Sequence, residues 1–263
     1  MFSEFMLSSN AMFSPLTSDT IYQADDLVSY DRSITPRHVA IIPDGNRRWA
    51  KKQQASAKVG HREGADNLIE IVKACKELGV QVVTFYAFST ENWARPQEEV
   101  QALMWLLDVY LVEQRETMLQ EGICFDTIGD LSKIPANVAE TIAETKRFTK
   151  QCDQIRMVLA VNYGGRDDIC RAVNQIVDDC MQQRGTPEKI TEEAIAKCLD
   201  TADIGDPDLL IRTSGEWRIS NFLLWQISYA EVYVTDVLWP DFTPAHLLEA
   251  LYDFQKRKRR LGG

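Results

Sequence analysis

Six short apolar runs rich in β-branched residues, each stopped by a polar or glycine-containing turn, alternate along this chain with stretches of helical periodicity. That alternation leaves few folds open. Strands joined by helical crossovers form right-handed βαβ units, and these build a mainly parallel sheet covered by helices on both faces. The runs are Val39 to Ile42, Val80 to Phe88, Ile123 to Gly129, Ile155 to Tyr163, Asp208 to Arg212 and Val232 to Val237. Helical stripes cover Gly60 to Leu78, Gln97 to Glu121, Asn137 to Lys150, Asp168 to Gln183 and Thr191 to Leu199. Ile219 to Ser228 is expected to be helical as well, and Thr243-Pro244 is a good N-cap and N1 pair for a last helix. At 263 residues the expectation is one α/β domain over residues 36–263, preceded by an extension over 1–35 that is partly ordered or docks as a single helix.

The first run is cut by Pro43-Asp44-Gly45-Asn46 and followed by Arg47 and Arg48. Asp44 therefore stands where a strand ends. In open α/β sheets ligands bind beyond the carboxyl ends of the strands, so a carboxylate set among so many donors suggests chemistry on an anion. Gly45 lets backbone N–H groups approach closely, and a helix starting near Arg47 aims its positive end at the same point. An acid among donors makes best sense with a cation, so Asp44 is expected to hold Mg²⁺, and the ion with the N–H groups a phosphate. The plainer alternative is a turn aspartate that caps a helix beside two solvated arginines.

Two other strand ends carry polar sets. They are Ser89-Thr90-Glu91-Asn92-Trp93, and Arg212-Thr213-Ser214-Gly215-Glu216 with Arg218 and Ser220 just after. Two separated arginine sets imply two anions, since one arginine already serves a single phosphate. Between Ala102 and Val112 every residue except Asp108 is apolar, so this part of its helix is buried on several sides or lines an apolar cavity. Two diphosphates and an apolar tail form the simplest ligand set that uses all these features.

A formal net charge of −10 argues against general nucleic-acid binding. The six cysteines show no metal-ligand spacing and read as buried thiols of a reducing compartment. No apolar run is long enough to span a membrane, and the amino terminus lacks the pattern of a signal peptide. A phosphohydrolase using Asp44 as nucleophile generally wants an acid two residues on; Asn46 stands there instead.

The segments HVAIIPDGNRRWA, FYAFSTENWARP and DLLIRTSGEWRISNFLLWQISYAEVYVTDVLWPDF resemble the signature regions of the cis-prenyltransferases, most closely the bacterial undecaprenyl diphosphate synthases, nearly colinearly from His38 to Gly263. The resemblance implies a six-stranded parallel sheet with helices around an apolar tunnel, in a cytoplasmic homodimer whose membrane contact is peripheral and made through its product. It implies condensation of farnesyl diphosphate with successive isopentenyl diphosphates, each addition forming a cis double bond, to give undecaprenyl diphosphate, the lipid carrier of cell-wall synthesis.

Carried over by motif, Asp44 handles Mg²⁺ and the allylic diphosphate, within a cradle of Gly45, Asn46, Arg47 and Arg48 and beside Trp49 and His61. Ser89, Thr90, Glu91, Trp93 and Arg95 match the second motif, where Asn92 corresponds to the residue that helps remove the proton. Arg212, Arg218, Ile219 and Ser220 match the isopentenyl diphosphate site, Glu231 the second metal ligand, and Arg260-Leu261-Gly262 the terminal motif that approaches the active site. Four departures stand out: Pro43 for an apolar residue, Arg47 for a common Gly, Ala57 for an Arg, and Ser214 for the first Gly of a pair.

Overall fold

The computed structural model describes residues 20–182 and 189–257. Its strands are β1 (His38–Ile42), β2 (Val82–Ser89), β3 (Ile123–Ile128), β4 (Ile155–Tyr163), β5 (Leu209–Arg212) and β6 (Glu231–Val234). They form one sheet in the order β3-β4-β2-β1-β5-β6 with every pairing parallel. The helices are α1 (Asn46–Lys52), α2 (Ala57–Leu78), α3 (Gln97–Gln120), α4 (Ala136–Thr149), α5 (Gly165–Gln182), α6 (Glu192–Cys198) and α7 (Pro244–Lys256). None of the described helices is long and apolar enough to cross a membrane.

Side chains alternate across the pleat. Val39 and Ile41 of β1 enter the larger core with Leu68, Val72, Tyr110 and Leu251, whereas Ala40 and Ile42 join a smaller one with Ile204, Phe222 and Leu223. The chain leaves β1 toward β2 and later returns to its other side as β5, so the connections reverse between β1 and β5. That crevice is where a ligand is expected in a sheet of this kind.

Two local expectations are corrected and one is narrowed. Ile219 to Ser228 is a run of turns, because Ser220, Asn221 and Leu223 hold left-handed backbone (φ 49°, 65° and 44°) that an α-helix excludes, while Phe222 and Leu223 sink fully into the smaller core. The apolar stretch of α3 takes the second of its two expected forms: Leu103, Leu107 and Tyr110 line an apolar cavity, while Trp105 and Val112 are 63% and 56% exposed. Cys75 is buried as expected, but Cys170 faces solvent on α5.

Residues 20–35 dock through two short 3₁₀ turns, Ala24–Leu27 and Arg32–Ile34, rather than one helix. Tyr22 is buried in the larger core and donates to the Pro244 carbonyl (2.9 Å), and Glu77 accepts from the amides of Ile21 and Tyr22. The Arg260-Leu261-Gly262 motif lies outside the described residues.

Candidate active site at the carboxyl ends of β1 and β5

The register pairs Ile42 with Arg212, so the turn after β1 meets the end of β5 directly. Thr213 ties the two together: its hydroxyl accepts from the Asp44 amide (2.8 Å) and donates to the Asp44 carbonyl (2.7 Å). With the backbone fixed, the Asp44 carboxylate sits between two guanidiniums. Arg212 Nη2 donates to Oδ2 at 2.8 Å and Arg48 Nη2 lies 3.5 Å from Oδ1. Gly45, at φ 113°, is required here, because a Cβ would stand 2.9 Å from Leu238 Cδ2 and an L side chain resists that backbone.

Ser214 shows what replacing the usual glycine entails. It holds φ 74°, and the conformation is secured by its amide donating to Val237 O (2.8 Å) and by Arg48, which donates to its carbonyl (3.0 Å) and its hydroxyl. Arg48 also lies 3.3 Å from Glu216, which pairs with Arg218. Arg212 Nη1 donates to Ser220 Oγ (2.9 Å) and to the Arg218 carbonyl. The second arginine set thus begins on the same side chain that holds Asp44.

Opposite, Glu99 on α3 collects three cationic or titratable neighbours: Arg95 Nη1 at 3.0 Å, Arg47 Nη1 at 3.8 Å and His61 Nε2 at 4.0 Å. Burial, then the charge of Arg95, holds His61 below the ordinary histidine value, so the ring is neutral at pH 7.

Asp44, Arg47, Arg48, His61, Arg95 and Arg212 line a polar cleft of about 560 Å³. Behind it runs a narrow apolar shaft of about 100 Å³, lined by Leu68, Phe85, Phe88, Met104, Leu107 and Tyr110 among others. Pro43, Asn46, His61, Ala87 and Leu103 line both spaces, so the two adjoin. A register shift in the β2–β4 pairing skips Ala87 and turns it toward this junction. Asn46 Oδ1, His61 Nε2 and Arg212 Nε are buried at the cleft without a hydrogen-bond partner, three of the six such side-chain atoms among the described residues. Buried polar atoms are normally paired, so a concentration of orphans marks a place built to meet a polar ligand.

The chain matches the family described as "Putative undecaprenyl diphosphate synthase" over residues 42–262. It belongs to that family. It is 47% identical over 228 residues to an isoprenyl transferase of Fusobacterium nucleatum, covering 87% of this chain and 96% of the relative. It is 46% identical over 231 residues to one from Chlamydia pneumoniae, covering 86% and 92%. Among solved structures it is similar to lavandulyl diphosphate synthase from Lavandula x intermedia in complex with dimethylallyl diphosphate, with TM-score 0.84 and 36% identity over 88% of this chain and 100% of that one. A probable undecaprenyl diphosphate synthase from Campylobacter jejuni gives TM-score 0.73 and 32% identity over 87% and 99%. The chain is accordingly a prenyltransferase of the undecaprenyl diphosphate synthase family with the all-parallel six-stranded fold.

Of the residues singled out in the sequence of this family member, Asp44, Gly45, Asn46, Arg47, Arg48, His61, Ser89, Asn92, Arg95, Arg212, Arg218 and Ser220 line the cleft. The others stand back from it. Trp49 Nε1 donates to Asp241 (2.7 Å), and Trp93 packs edge-on against Phe88 and donates to Asn162 Oδ1 (2.7 Å). Glu91 accepts from Asn221 (2.8 Å), and Thr90 and Ile219 do not line the cleft. Glu231 begins β6 opposite Leu209, at the far end of the strand from Asp44, and pairs with Arg257 at 2.9 Å. Ile42, Pro43, Tyr86, Ala87, Leu103 and Glu216 complete the lining. Of these, Pro43 and Glu216 belong to the polar turns after β1 and β5 and Leu103 to the apolar run of α3, whereas Tyr86 and Ala87 look like ordinary strand residues.

Proposed function

We propose that this chain is a Mg²⁺-dependent cis-prenyltransferase that extends farnesyl diphosphate with successive isopentenyl diphosphates to undecaprenyl diphosphate, a lipid carrier for cell-wall synthesis. One observation carries the reading: a cleft with two arginine groupings adjoins an apolar shaft, with Ala87 and Leu103 lining both. The cleft suits two diphosphate heads and the shaft a prenyl tail. In this reading Arg47 and Arg48 take the allylic diphosphate, and Arg212, Arg218 and Ser220 the isopentenyl diphosphate.

The donor set fits a magnesium ion. Among the described residues no three His, Cys, Asp or Glu side chains form a closed metal cage, and Asp44 stands as a single carboxylate where phosphate oxygens would gather. Mg²⁺ prefers that arrangement, one or two carboxylates with substrate phosphates and water. Bound there, it would neutralise charge on the departing diphosphate. Arg48 and Arg212 set the orientation of the Asp44 carboxylate from both sides.

When the allylic C–O bond ionises, negative charge grows on the leaving diphosphate, and guanidiniums already aimed at that position stabilise it without reorganising. The isopentenyl alkene attacks the allylic carbon, and a proton passes from the new cation to the expelled diphosphate or to water as the cis double bond forms. Asn92 has no basicity at neutral pH; its Oδ1 is held by the Ser89 amide (3.1 Å), so it orients the proton's path rather than receiving the proton. Holding both substrates in one cleft supplies the alignment that a bimolecular reaction lacks in water.

The proposed unit is a homodimer in the cytoplasm, meeting the membrane through its product. Edge strand β6, with Val232 41% and nearby Tyr229 69% exposed, supports a second copy pairing at that edge. Glu231 stands on the same edge, so its proposed ligand role depends on that second copy. Purified protein incubated with farnesyl diphosphate, labelled isopentenyl diphosphate and Mg²⁺ is expected to yield butanol-extractable label, lost on chelation with EDTA. Chromatography of the dephosphorylated product reads chain length. No extractable label would leave a regulatory subunit of the same fold.

A further inference from the structure

We propose that Asn221 is a positioning residue, which fixes the Ser220 hydroxyl and the Glu91 carboxylate in one frame and thereby sets the affinity of the second diphosphate site. The inference rests on the reading of Arg212, Arg218 and Ser220 as the isopentenyl diphosphate site.

Asn221 does not line the cleft itself. Its backbone and side chain instead join three strand ends. The carbonyl accepts from the Gly165 amide (2.7 Å) and Oδ1 accepts from the Arg166 amide (3.0 Å), which fastens the residue to the start of α5 after β4. Nδ2 donates to Glu91 Oε1 (2.8 Å), in the 3₁₀ turn Thr90–Ala94 after β2. The preceding residue, Ser220, takes the Arg212 guanidinium on its hydroxyl (2.9 Å) and the Tyr86 hydroxyl on its carbonyl (3.2 Å), so the tie runs on to β5.

The approach is close as well as polar. A Cβ added at Gly164 would stand 2.7 Å from Asn221 Nδ2 and 2.7 Å from Thr90 Oγ1, so only glycine lets the two motifs meet there. Ser220 and Asn221 are both left-handed, at φ 49° and 65°. Asparagine tolerates that conformation better than most residues, but serine needs a reason to hold it. The bonds of Asn221 supply that reason, because they anchor the next residue at three points, its carbonyl and both side-chain amide atoms. Burial alone would raise the Glu91 carboxyl, yet hydrogen bonds led by Asn221 hold it below the usual range, so it accepts as a carboxylate.

The test uses the full chain, with isopentenyl diphosphate and inorganic diphosphate as calorimetric probes. Asn221→Gly keeps the left-handed backbone and deletes the amide; it is expected to weaken isopentenyl diphosphate about tenfold, with farnesyl diphosphate affected by less than about twofold. Its melting temperature should stay within about 3 °C of wild type. In turnover assays the loss should fall on the KM for isopentenyl diphosphate. Asn221→Asp sets a second carboxylate against Glu91 and should weaken the probes further. Adding Glu91→Gln then exchanges donor and acceptor, and affinity should return to that of Glu91→Gln alone.

Unchanged affinity in Asn221→Gly overturns the inference, as does an Asn221→Asp/Glu91→Gln pair no tighter than Asn221→Asp. These readouts need no prenyl transfer. A wild-type protein that binds neither probe removes the site reading and this inference with it, whereas normal wild-type binding with an indifferent Asn221→Gly removes the inference alone.

Discussion

At the amino end of β1, His38 is buried with both ring nitrogens engaged, Nδ1 on the Gly205 carbonyl (3.0 Å) and Nε2 on Thr84 Oγ1 (2.8 Å). Just past the carboxyl end, Asp44 faces an open cleft between Arg48 and Arg212. The difference extends along both rims. Five of the six non-glycine residues with positive φ among the described ones, Asn162, Ser214, Ser220, Asn221 and Leu223, lie at or after the carboxyl ends of β4 and β5. Backbone strain and concentrated charge cost stability, and they persist where the surrounding structure over-determines them, as at binding sites. One rim is settled by its own contacts; the other is held ready for a ligand.

That contrast can be broken most severely at Asp44. Asp44→Ala is expected to lower turnover by roughly 10³-fold or more while the melting temperature moves by only a few degrees, since the carboxylate is partly exposed and supports no core packing. Near-normal turnover would remove it from the mechanism. Arg218→Ala should raise the KM for isopentenyl diphosphate by about tenfold with a smaller change in kcat. A rise in the farnesyl diphosphate KM instead would mean that the two anion sites are exchanged.

The opposite rim should respond in stability and not in chemistry. Burial pushes His38 down to about 4 from an ordinary 6.5. A histidine whose folded value is depressed contributes its full stability above pH 6.5, and that contribution is lost as pH falls from 6.5 toward 4, because the unfolded chain takes up the proton first. The loss is on the order of 3 kcal/mol. Urea unfolding between pH 7.5 and 4.5 should therefore fall more steeply for wild type than for His38→Gln, with turnover at pH 7.5 similar in both. His61 is depressed too and adds in the same direction, so the difference between the two proteins is the readout. The smallest effect is expected at Ser214→Gly, where relief of a left-handed serine and loss of a bond from Arg48 offset one another to within about 1 kcal/mol. A larger loss in urea titrations would give the hydroxyl a greater share in holding Arg48.

The strands and their polar ends were legible because periodicity and turn chemistry are local properties. Asp44, Arg48, Arg212 and Ser220 each follow an apolar run that could hardly be anything but a strand, and a parallel sheet brings such ends to one rim. The failures came where a distant partner decides. Ile219 to Ser228 has helical spacing, but bonds from Gly165 and Arg166, more than fifty residues away, hold Asn221 in a conformation that spacing cannot reveal. Glu231 matches a motif, and its register opposite Leu209, with Arg257 at 2.9 Å, leaves its proposed ligand role to a second copy rather than to this chain alone. Trp105 read as interior because its neighbours are apolar, yet only the inward face of α3 meets the shaft.

The left-handed residues after β5 set a rule for sequence drift in this protein. In a saturation screen Ser214 should accept glycine, asparagine or aspartate and reject valine, isoleucine and threonine, whatever their polarity, whereas Ser220 is held in addition by its hydroxyl bond from Arg212. Alternatives there would be sorted by the shape of the peptide link, so a change as mild as adding one methyl group could be purged while the loss of a whole side chain passes unnoticed.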